Sequence, residues 1–174
     1  MESLVCHLRV PQAINSKLVL FDRDDTLIDD AGQHSDKQRL IWTRGAFSAI
    51  SKLNAAGYEI GLVSNQSAIA KGIYPESELF EFTAEMNAQC FRETGVTFCV
   101  VLVCPHAPTS NCNCRKPAAG MLETAEDLTK CTIEALFGDK ISDVHAAHNF
   151  GVEGVLVRQN NLEELVDAWI KSKC

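Results

Sequence analysis

Three carboxylates follow a short apolar run near the start of the chain. The run Lys17–Phe21 is rich in Val and Leu and predicts a buried strand; Asp22, Asp24 and Asp25 come directly after it, and Thr26 follows them. Carboxylates this close repel one another, so a folded chain holds them together with a cation between them or with one proton retained. An acidic turn without a function is the alternative, but Asp-x-Asp-x-Thr directly against a strand end favours a reactive site.

Polar side chains of other types follow the later apolar runs. They stand at the ends of the second and fourth predicted strands and in the loop after the third: Ser64, Asn65, Gln66, Arg115, Lys116, Asp139, Lys140 and Asp143. The carboxyl ends of parallel strands share one edge of a sheet, so these residues are expected to meet the Asp cluster. Alone, each is more often a helix cap, a turn or a surface charge. Together, a nucleophile, a hydroxyl group, a lysine and a metal-binding carboxylate are what phosphoryl transfer requires.

The elements that position these residues alternate along the chain. Five apolar segments predict strands: Lys17–Phe21, Tyr58–Val63, Phe98–Val103, Ile133–Phe137 and Gly154–Arg158. Stretches with helical spacing separate them, and a last amphipathic helix covers Leu162–Trp169. This alternation predicts an α/β, doubly wound, Rossmann-like fold, in which one parallel five-stranded sheet carries helices on both faces. We expect a single domain over residues 1–174, with a loose N-terminal segment at residues 1–16 and a polar flap at Ile28–Trp42.

The composition narrows the class of partner. With a formal net charge of −7, 22% charged residues and 46% hydrophobic residues, the chain lacks the basic balance of a nucleic-acid-binding protein. The first residues show no signal-peptide pattern, and the longest apolar run, Phe98–Cys104, is too short to cross a membrane. We therefore expect a cytoplasmic monomer that binds a small molecule, with no nucleic-acid or membrane partner.

A second metal site is predicted in the loop after the third strand. Cys104, His106, Cys112 and Cys114 form the pattern Cys-x-His-x₅-Cys-x-Cys. Three sulfur atoms and one imidazole match a closed tetrahedral Zn²⁺ site, which is structural because no ligand position is open. A redox pair or a chance cluster is the alternative. Because Arg115 and Lys116 follow Cys114 directly, zinc binding at residues 104–114 would order the residues that bring positive charge to the site.

The motifs resemble those of the haloacid dehalogenase superfamily of phosphohydrolases, whose four motifs match in order and spacing. Within it, Phe-Asp-Arg-Asp-x-Thr-Leu, Ser-Asn-Gln-Ser-x-Ile-Ala-Lys-Gly, Cys-Pro-His, Cys-x-Cys-Arg-Lys-Pro and Gly-Asp-Lys-x-x-Asp resemble the heptose bisphosphate phosphatases and the histidinol-phosphatases. The resemblance runs from about Lys17 to Val157. The gaps between the motifs leave no room for the large cap domain of many members, so an open site is expected. One departure is Asp25, which stands where relatives usually carry Gly.

The resemblance implies a catalytic role for each matching residue. Asp22 would be the nucleophile that forms an aspartyl phosphate, and Asp24 would be the general acid and then the general base. Ser64 would hydrogen-bond the transferring phosphoryl group, and Lys116 would hold that group beside the nucleophile. Catalytic Mg²⁺ would be bound by Asp22, Asp139 and the backbone carbonyl of Asp24.

The expected substrate is a small sugar phosphate. By the resemblance Asn65 and Arg115 would contact it, Thr26 completes the expected binding set, and Lys71 stands on the loop that the far end of a sugar would reach. The stretch from Ser-Asn-Gln-Ser to Lys-Gly resembles the heptose enzymes, and this resemblance implies removal of the 7-phosphate from D-glycero-D-manno-heptose 1,7-bisphosphate. A histidinol-phosphatase and a phospho-receiver signalling domain are the alternatives. A polynucleotide 5′-phosphatase is disfavoured, because binding to a phosphate backbone is largely electrostatic and this chain is acidic.

Overall fold

A central six-stranded sheet organises the molecule. The computed structural model describes residues 2–9, 11, 16–29, 40–158 and 161–173. The strands are Leu4–Leu8 (β1), Lys17–Phe21 (β2), Tyr58–Asn65 (β3), Val100–Cys104 (β4), Thr132–Gly138 (β5) and Glu153–Leu156 (β6). The helices are Ala46–Ala55 (α1), Glu76–Thr94 (α2), Gly120–Thr129 (α3), Ile141–Phe150 (α4) and Leu162–Ser172 (α5). The strand order is β1-β4-β3-β2-β5-β6, and every pair except β1 with β4 is parallel.

The predicted α/β fold and its five parallel strands are confirmed, but the sheet has a sixth strand. β1 lies inside the segment predicted to be loose, and it pairs antiparallel with β4. Its sequence does not alternate cleanly, because a bulge shifts the register between Val5 and His7 and both Val5 and Leu8 point to solvent. An edge strand of this kind is held by backbone pairing on one side, so the apolar pattern is a weak signal for it. The rest of that segment, residues 1, 10 and 12–15, lies outside the described residues.

The side chains of β2 alternate between two separate hydrophobic cores, one on each face of the sheet. Val19 and Phe21 pack with α1, α2 and α5 on one face. Leu18 and Leu20 pack with α3 and α4 on the other. All four side chains are fully buried. A strand buried on both faces reads as a continuous apolar run, which is why β2 is so clear in the sequence.

The order of the strands marks where a ligand can bind. From β2 the chain moves to β3 on one side of the sheet and later returns to β5 on the other, so the carboxyl ends of β2 and β5 form a topological switch point. The predicted flap begins there. Its base is closed by a bridge between Ile28 and Trp42, and residues 30–39 lie outside the described residues. No helix in the described ranges is long and apolar enough to span a membrane.

Candidate active site

Asp22 stands at the switch point with a buried ammonium group beside it. Its backbone N–H donates to the Phe137 carbonyl at 2.8 Å, which fixes the residue between β2 and β5. The Lys116 Nζ atom donates to Asp22 Oδ1 at 2.7 Å and to the Val63 carbonyl at 2.7 Å, and lies 2.6 Å from Asp143 Oδ1. Three acceptors match the three protons of an ammonium group. The lysine is therefore held in one position beside the predicted nucleophile.

The local charge balance is negative. The pKa of Asp22 is raised to about 6, mainly by burial, with Lys116 opposing the shift and the carboxylates of Asp143 and Asp24 adding to it. Burial also raises the pKa of Asp139, with Asp143 and Asp25 adding to the effect. Burial alone would lower the pKa of Lys116, but its two carboxylate partners raise it. Lys116 and Lys140 are the ammonium groups that face Asp22, Asp139 and Asp143, so the carboxylates outnumber them and a further cation would relieve the repulsion.

The carboxylates themselves fit a hard divalent cation. Asp22, Asp139 and Asp143 each offer one oxygen, and these oxygens lie within 4.8 Å of one another. Asp139 Oδ1 is buried and has no hydrogen-bond partner among the described residues. An orphaned carboxylate oxygen is costly without a partner, and Mg²⁺ takes oxygen ligands. The residues present therefore fit the expected Mg²⁺.

Asp143 is a member of this cluster that the sequence reasoning gave no role. It lies in the first turn of α4, where its Oδ2 accepts the Lys140 backbone N–H at 2.9 Å. A Cβ atom at Gly138 would overlap the Asp143 carboxyl group, so glycine is required there. The Gly-Asp-x-x-x-Asp spacing could have predicted this role, because the end of a strand and the first turn of the next helix bring both acids to one edge of the sheet.

The Asp24 carboxyl group is paired with Arg23 and Gln66. Its Oδ1 accepts from Arg23 Nε at 2.8 Å, and its Oδ2 accepts from Arg23 Nη2 at 3.0 Å and Gln66 Nε2 at 2.5 Å. Burial would raise the Asp24 pKa, but the Arg23 guanidinium and these hydrogen bonds hold it below its ordinary value. The side chain is therefore not part of the cation cluster, and the expected metal contact of Asp24 is left to its backbone carbonyl.

Two further predicted residues lie at the end of β3. The Ser64 hydroxyl is buried and accepts from Gln66 Nε2 at 3.0 Å. Asn65 holds the backbone of Lys116 at both polar atoms: its Nδ2 donates to the Lys116 carbonyl at 3.0 Å, and its Oδ1 accepts the Lys116 N–H at 3.1 Å. Asn65, which was predicted to contact substrate, lies in the wall of the cavity described next, and its amide also fastens the loop that carries Lys116.

An open cavity of about 330 Å³ adjoins these groups. Its walls include Asp24, Asn65, Gln66, Ser67, Ala68, Arg115, Lys116, Lys140 and Ser142. Arg115 therefore lies where it was predicted, and its Nη1 atom donates to the His106 carbonyl at 3.1 Å. The structure does not bring the other two predicted substrate residues here. Thr26 has a buried side chain beneath the turn, and Lys71 is exposed on the loop outside the cavity wall.

Asp25 adopts the backbone conformation that explains why glycine is usual at this place. Its φ is 55°, in the left-handed region, and its N–H donates to the Ile28 carbonyl at 2.7 Å. Asp tolerates this region better than most residues, so the turn forms as expected. The extra carboxylate is exposed and contributes to raising the pKa of Asp139.

The four predicted zinc ligands converge. Cys104 Sγ lies 3.6 Å from Cys112 Sγ and 3.5 Å from His106 Nδ1, and His106 Nδ1 lies 3.2 Å from Cys114 Sγ. Tetrahedral Zn²⁺ places two sulfur ligands about 3.8 Å apart and a sulfur and a nitrogen ligand about 3.6 Å apart. Burial raises the pKa of Cys104 and Cys114, so a bound cation is what would hold them as thiolates. The donor set and its spacing fit zinc.

The chain is similar to known phosphatases. The family described as polynucleotide kinase 3 phosphatase matches residues 17–144. Identity is 31% over 160 residues to the D-glycero-β-D-manno-heptose-1,7-bisphosphate 7-phosphatase of Helicobacter pylori, covering 91% of this chain and 92% of that protein. Identity is also 31% over 154 residues to the histidine biosynthesis bifunctional protein HisB of Legionella pneumophila, covering 86% of this chain and 44% of that protein.

A solved structure has the same fold. It is the crystal structure of D,D-heptose 1,7-bisphosphate phosphatase from B. bronchiseptica complexed with magnesium and phosphate. The TM-score is 0.80 at 24% identity, with 90% of this chain and 99% of that chain covered.

Proposed function

Because the chain belongs to the polynucleotide kinase 3 phosphatase family and is a phosphatase, we propose that it removes the 7-phosphate of D-glycero-D-manno-heptose 1,7-bisphosphate through an aspartyl phosphate on Asp22. The observation that carries the chemistry is the position of Asp22, fixed at the switch point between Lys116 and two further carboxylates. A fixed nucleophile next to a cation site and an open cavity suits in-line attack on phosphorus.

The first half-reaction transfers the phosphoryl group to the enzyme. The Asp22 carboxylate attacks phosphorus, the bond from phosphorus to the sugar oxygen breaks, and the leaving oxygen takes a proton from Asp24. Because Arg23 keeps Asp24 ionised in the free site, that proton arrives with the monoanionic phosphate group of the substrate. Ser64 donates its hydroxyl proton to a phosphoryl oxygen, and Lys116 keeps Asp22 in place. Mg²⁺, held by Asp22, Asp139, Asp143 and the Asp24 carbonyl, would neutralise the phosphoryl oxygens.

The second half-reaction returns the enzyme to its starting state. Asp24, now a carboxylate, takes a proton from a water molecule that attacks phosphorus. The acyl phosphate bond breaks, Asp22 regains its negative charge, and inorganic phosphate leaves. Arg23 and Gln66 hold Asp24 beside the cavity throughout, so one residue can serve as acid and then as base.

The cationic side of the cavity supports a bisphosphate substrate. Arg115 and Lys140 lie in its wall, and neither belongs to the set that holds the nucleophile. A guanidinium group binds a phosphate through two parallel hydrogen bonds, which suits the phosphate that is not cleaved. The relative from Helicobacter pylori, named for this substrate, is similar over nearly its whole length.

We predict that Arg115→Ala lowers kcat/KM for the heptose bisphosphate by about tenfold to a hundredfold, the loss of a charge-assisted phosphate contact. A small monophosphate such as glycerol phosphate should lose less than about threefold, since it has no second phosphate to bind. Steady-state kinetics on both substrates measure the difference. Arg92→Ala, which removes an exposed arginine from α2, is the control. Equal losses on both substrates would contradict the assignment of Arg115.

One observation favours histidinol phosphate as a second candidate. On the other side of Asp139 lies a cavity of about 720 Å³ lined by Asp25, Asp29, Thr43, Asp139, Val157, Arg158 and Asn161. Three carboxylates and a single arginine there suit a cationic amine. A panel of both heptose anomers, histidinol phosphate and a 3′-phosphorylated oligonucleotide, assayed for released phosphate, decides the substrate. Multiple turnovers per chain would also separate the enzyme from a phospho-receiver.

The monomeric state stays a prediction that light scattering tests, and cytoplasmic location stays one that cell fractionation tests.

Asp25 separates the two substrates further. If the substrate is a bisphosphate, Asp25→Asn should lower KM by about twofold to fivefold, because an exposed negative charge near the anion is removed. If it is histidinol phosphate, the same change should raise KM. Asp25→Gly, which also frees the left-handed backbone, controls for an effect of the turn. An unchanged KM for every substrate would mean that the Asp25 charge plays no part in binding.

A further inference from the structure

We propose that Gln66 is a positioning residue that aims the Asp24 carboxyl group at the leaving-group oxygen, and that Tyr74 fixes Gln66 for this task. The inference rests on the general-acid role proposed for Asp24.

The nitrogen and the oxygen of the Gln66 side-chain amide are both hydrogen-bonded to other protein groups. One Nε2 proton reaches Asp24 Oδ2 at 2.5 Å, and the other reaches Ser64 Oγ at 3.0 Å. The Oε1 atom accepts from the Tyr74 hydroxyl at 2.8 Å. Gln66 is almost fully buried although it lies in the cavity wall, so these bonds are largely shielded from water. With both its ends bonded to different partners, the amide has one orientation.

Tyr74 is itself anchored by packing. Its ring is buried in a cluster with Ala68, Leu79 and Val103. The loop after β3 folds back on itself, since the Ile73 N–H donates to the Ala68 carbonyl at 3.0 Å. The hydroxyl therefore reaches Gln66 from a rigid base. The apolar cluster thus positions Tyr74, Tyr74 positions the Gln66 amide, and Gln66 positions the Asp24 carboxyl group.

Arg23 and Gln66 make different contacts with the Asp24 carboxyl group. Arg23 contacts both carboxylate oxygens and lies 5.0 Å from the Phe82 ring centroid, so it supplies a fixed positive charge from one side. Gln66 adds a neutral donor to Oδ2 alone. Oδ1 then carries fewer hydrogen bonds than Oδ2 in the described part of the chain, and it is the oxygen from which a proton can be given to a leaving group. Loss of Gln66 would leave the Arg23–Asp24 ion pair in place but remove the second donor to Oδ2, so the carboxyl group would be held from one side only.

This division predicts a dependence on the leaving group. When an alkyl phosphate is cleaved, the electron pair of the breaking bond stays on a strongly basic oxygen, which needs the proton of Asp24. When p-nitrophenyl phosphate is cleaved, the phenolate is stable without that proton. Attack by Asp22 and the contact of Ser64 with the phosphoryl group are common to both. A positioning defect at Asp24 therefore affects only the alkyl substrate, whereas general damage to the site affects both.

The test measures kcat/KM, which reports on phosphoryl transfer to Asp22, for Gln66→Met with the best alkyl phosphate of the panel and with p-nitrophenyl phosphate. We expect about a tenfold loss on the alkyl substrate and less than about a threefold loss on the aryl substrate. Tyr74→Phe should move the ratio in the same direction by a smaller factor. Tyr58→Phe is the matched control, since Tyr58 is the chain's other tyrosine and lies at the opposite end of β3, and it should leave the ratio unchanged. Equal losses on the two substrates, or none, would overturn the proposal.

Two further measurements keep the result unambiguous. Circular dichroism and thermal melting check folding; if Gln66→Met does not fold, Tyr74→Phe, which removes a single oxygen atom, decides alone. Asp24→Asn tests the premise: if it shows no leaving-group dependence, the proposed role of Asp24 fails. If Asp24→Asn shows it and the folded Gln66 and Tyr74 variants do not, only the present inference fails. In the Asp24→Asn background, Gln66→Met should cause no further change in the ratio.

Discussion

Replacing Asp22 with asparagine is expected to lower kcat by about 10⁴-fold or more, because an amide is neither a competent nucleophile for phosphorus nor a good ligand for Mg²⁺. The same change removes one of the carboxylates that crowd around Lys116, and Lys116 keeps its contact with Asp143. We therefore expect the melting temperature of the metal-free protein to hold or rise while activity is lost. Opposite changes in activity and stability are typical of residues retained for function.

The measurement needs two precautions. Intact mass must show that the new asparagine has not deamidated, since a small fraction of restored aspartate would imitate residual activity. Asp127→Asn on the exposed face of α3 is the matched control and should leave kcat unchanged. Acid-quenched protein should carry a phosphoryl group on the wild-type chain and none on Asp22→Asn. Residual turnover above about one per cent in an authenticated sample would remove Asp22 from its assigned role.

The second large effect is expected at the sulfur cluster. Cys112→Ser should reduce bound zinc from about one ion per chain to none and lower activity by at least about tenfold, since binding energy at a structural zinc site is also folding energy. The path to activity is short: Arg115 donates to the His106 carbonyl, and Lys116 follows Arg115 in the chain. Without the ion, the loop would lose the order that brings both cations to the cavity.

Elemental analysis and hydrogen exchange together test this expectation. Protection from exchange should fall over residues 104–116 and persist in β2, β3 and β5, which are held by their parallel pairing and by the core on the face of the sheet away from the loop. Cys6→Ser, a change to a partly buried thiol on β1, is the control and should keep its zinc. Zinc-free protein that recovers full activity when Mg²⁺ alone is restored would refute a structural zinc ion.

The central strands and their chemistry could be predicted because their signals are local. β2 was predicted with the bounds that it has, since a strand buried on both faces leaves an unbroken apolar run. The cysteine and histidine spacing likewise predicted a cluster that does converge. β1 was missed because an edge strand needs only backbone pairing, and its side chains on the solvent side need not be apolar.

The parts of the site that could not be predicted depend on contacts between distant residues. No spacing rule links Asn65 to the backbone of Lys116, or Tyr74 to Gln66, since each bond depends on how a loop folds back. The burial of the Thr26 side chain could not be predicted from the sequence either, because the conformation of the turn determines whether that side chain enters a cavity or the protein interior. The residue types in the motifs predicted the reaction class. Tertiary hydrogen bonds determine which side chains face the cavity and which hold other residues in place.

The attachment of Lys116 to Asn65 has a consequence for divergence among related enzymes. One end of the loop after β4 is fixed where Cys104 leaves the sheet, and the other is fixed by the Asn65 amide. The intervening stretch, residues 107–111, is mostly at the surface, and its backbone forms a turn in which the Ser110 N–H donates to the Ala107 carbonyl. Insertions or replacements in that stretch can therefore reshape the entrance to the cavity while the ammonium group beside Asp22 stays in register, so substrate range is free to drift without loss of the chemical step.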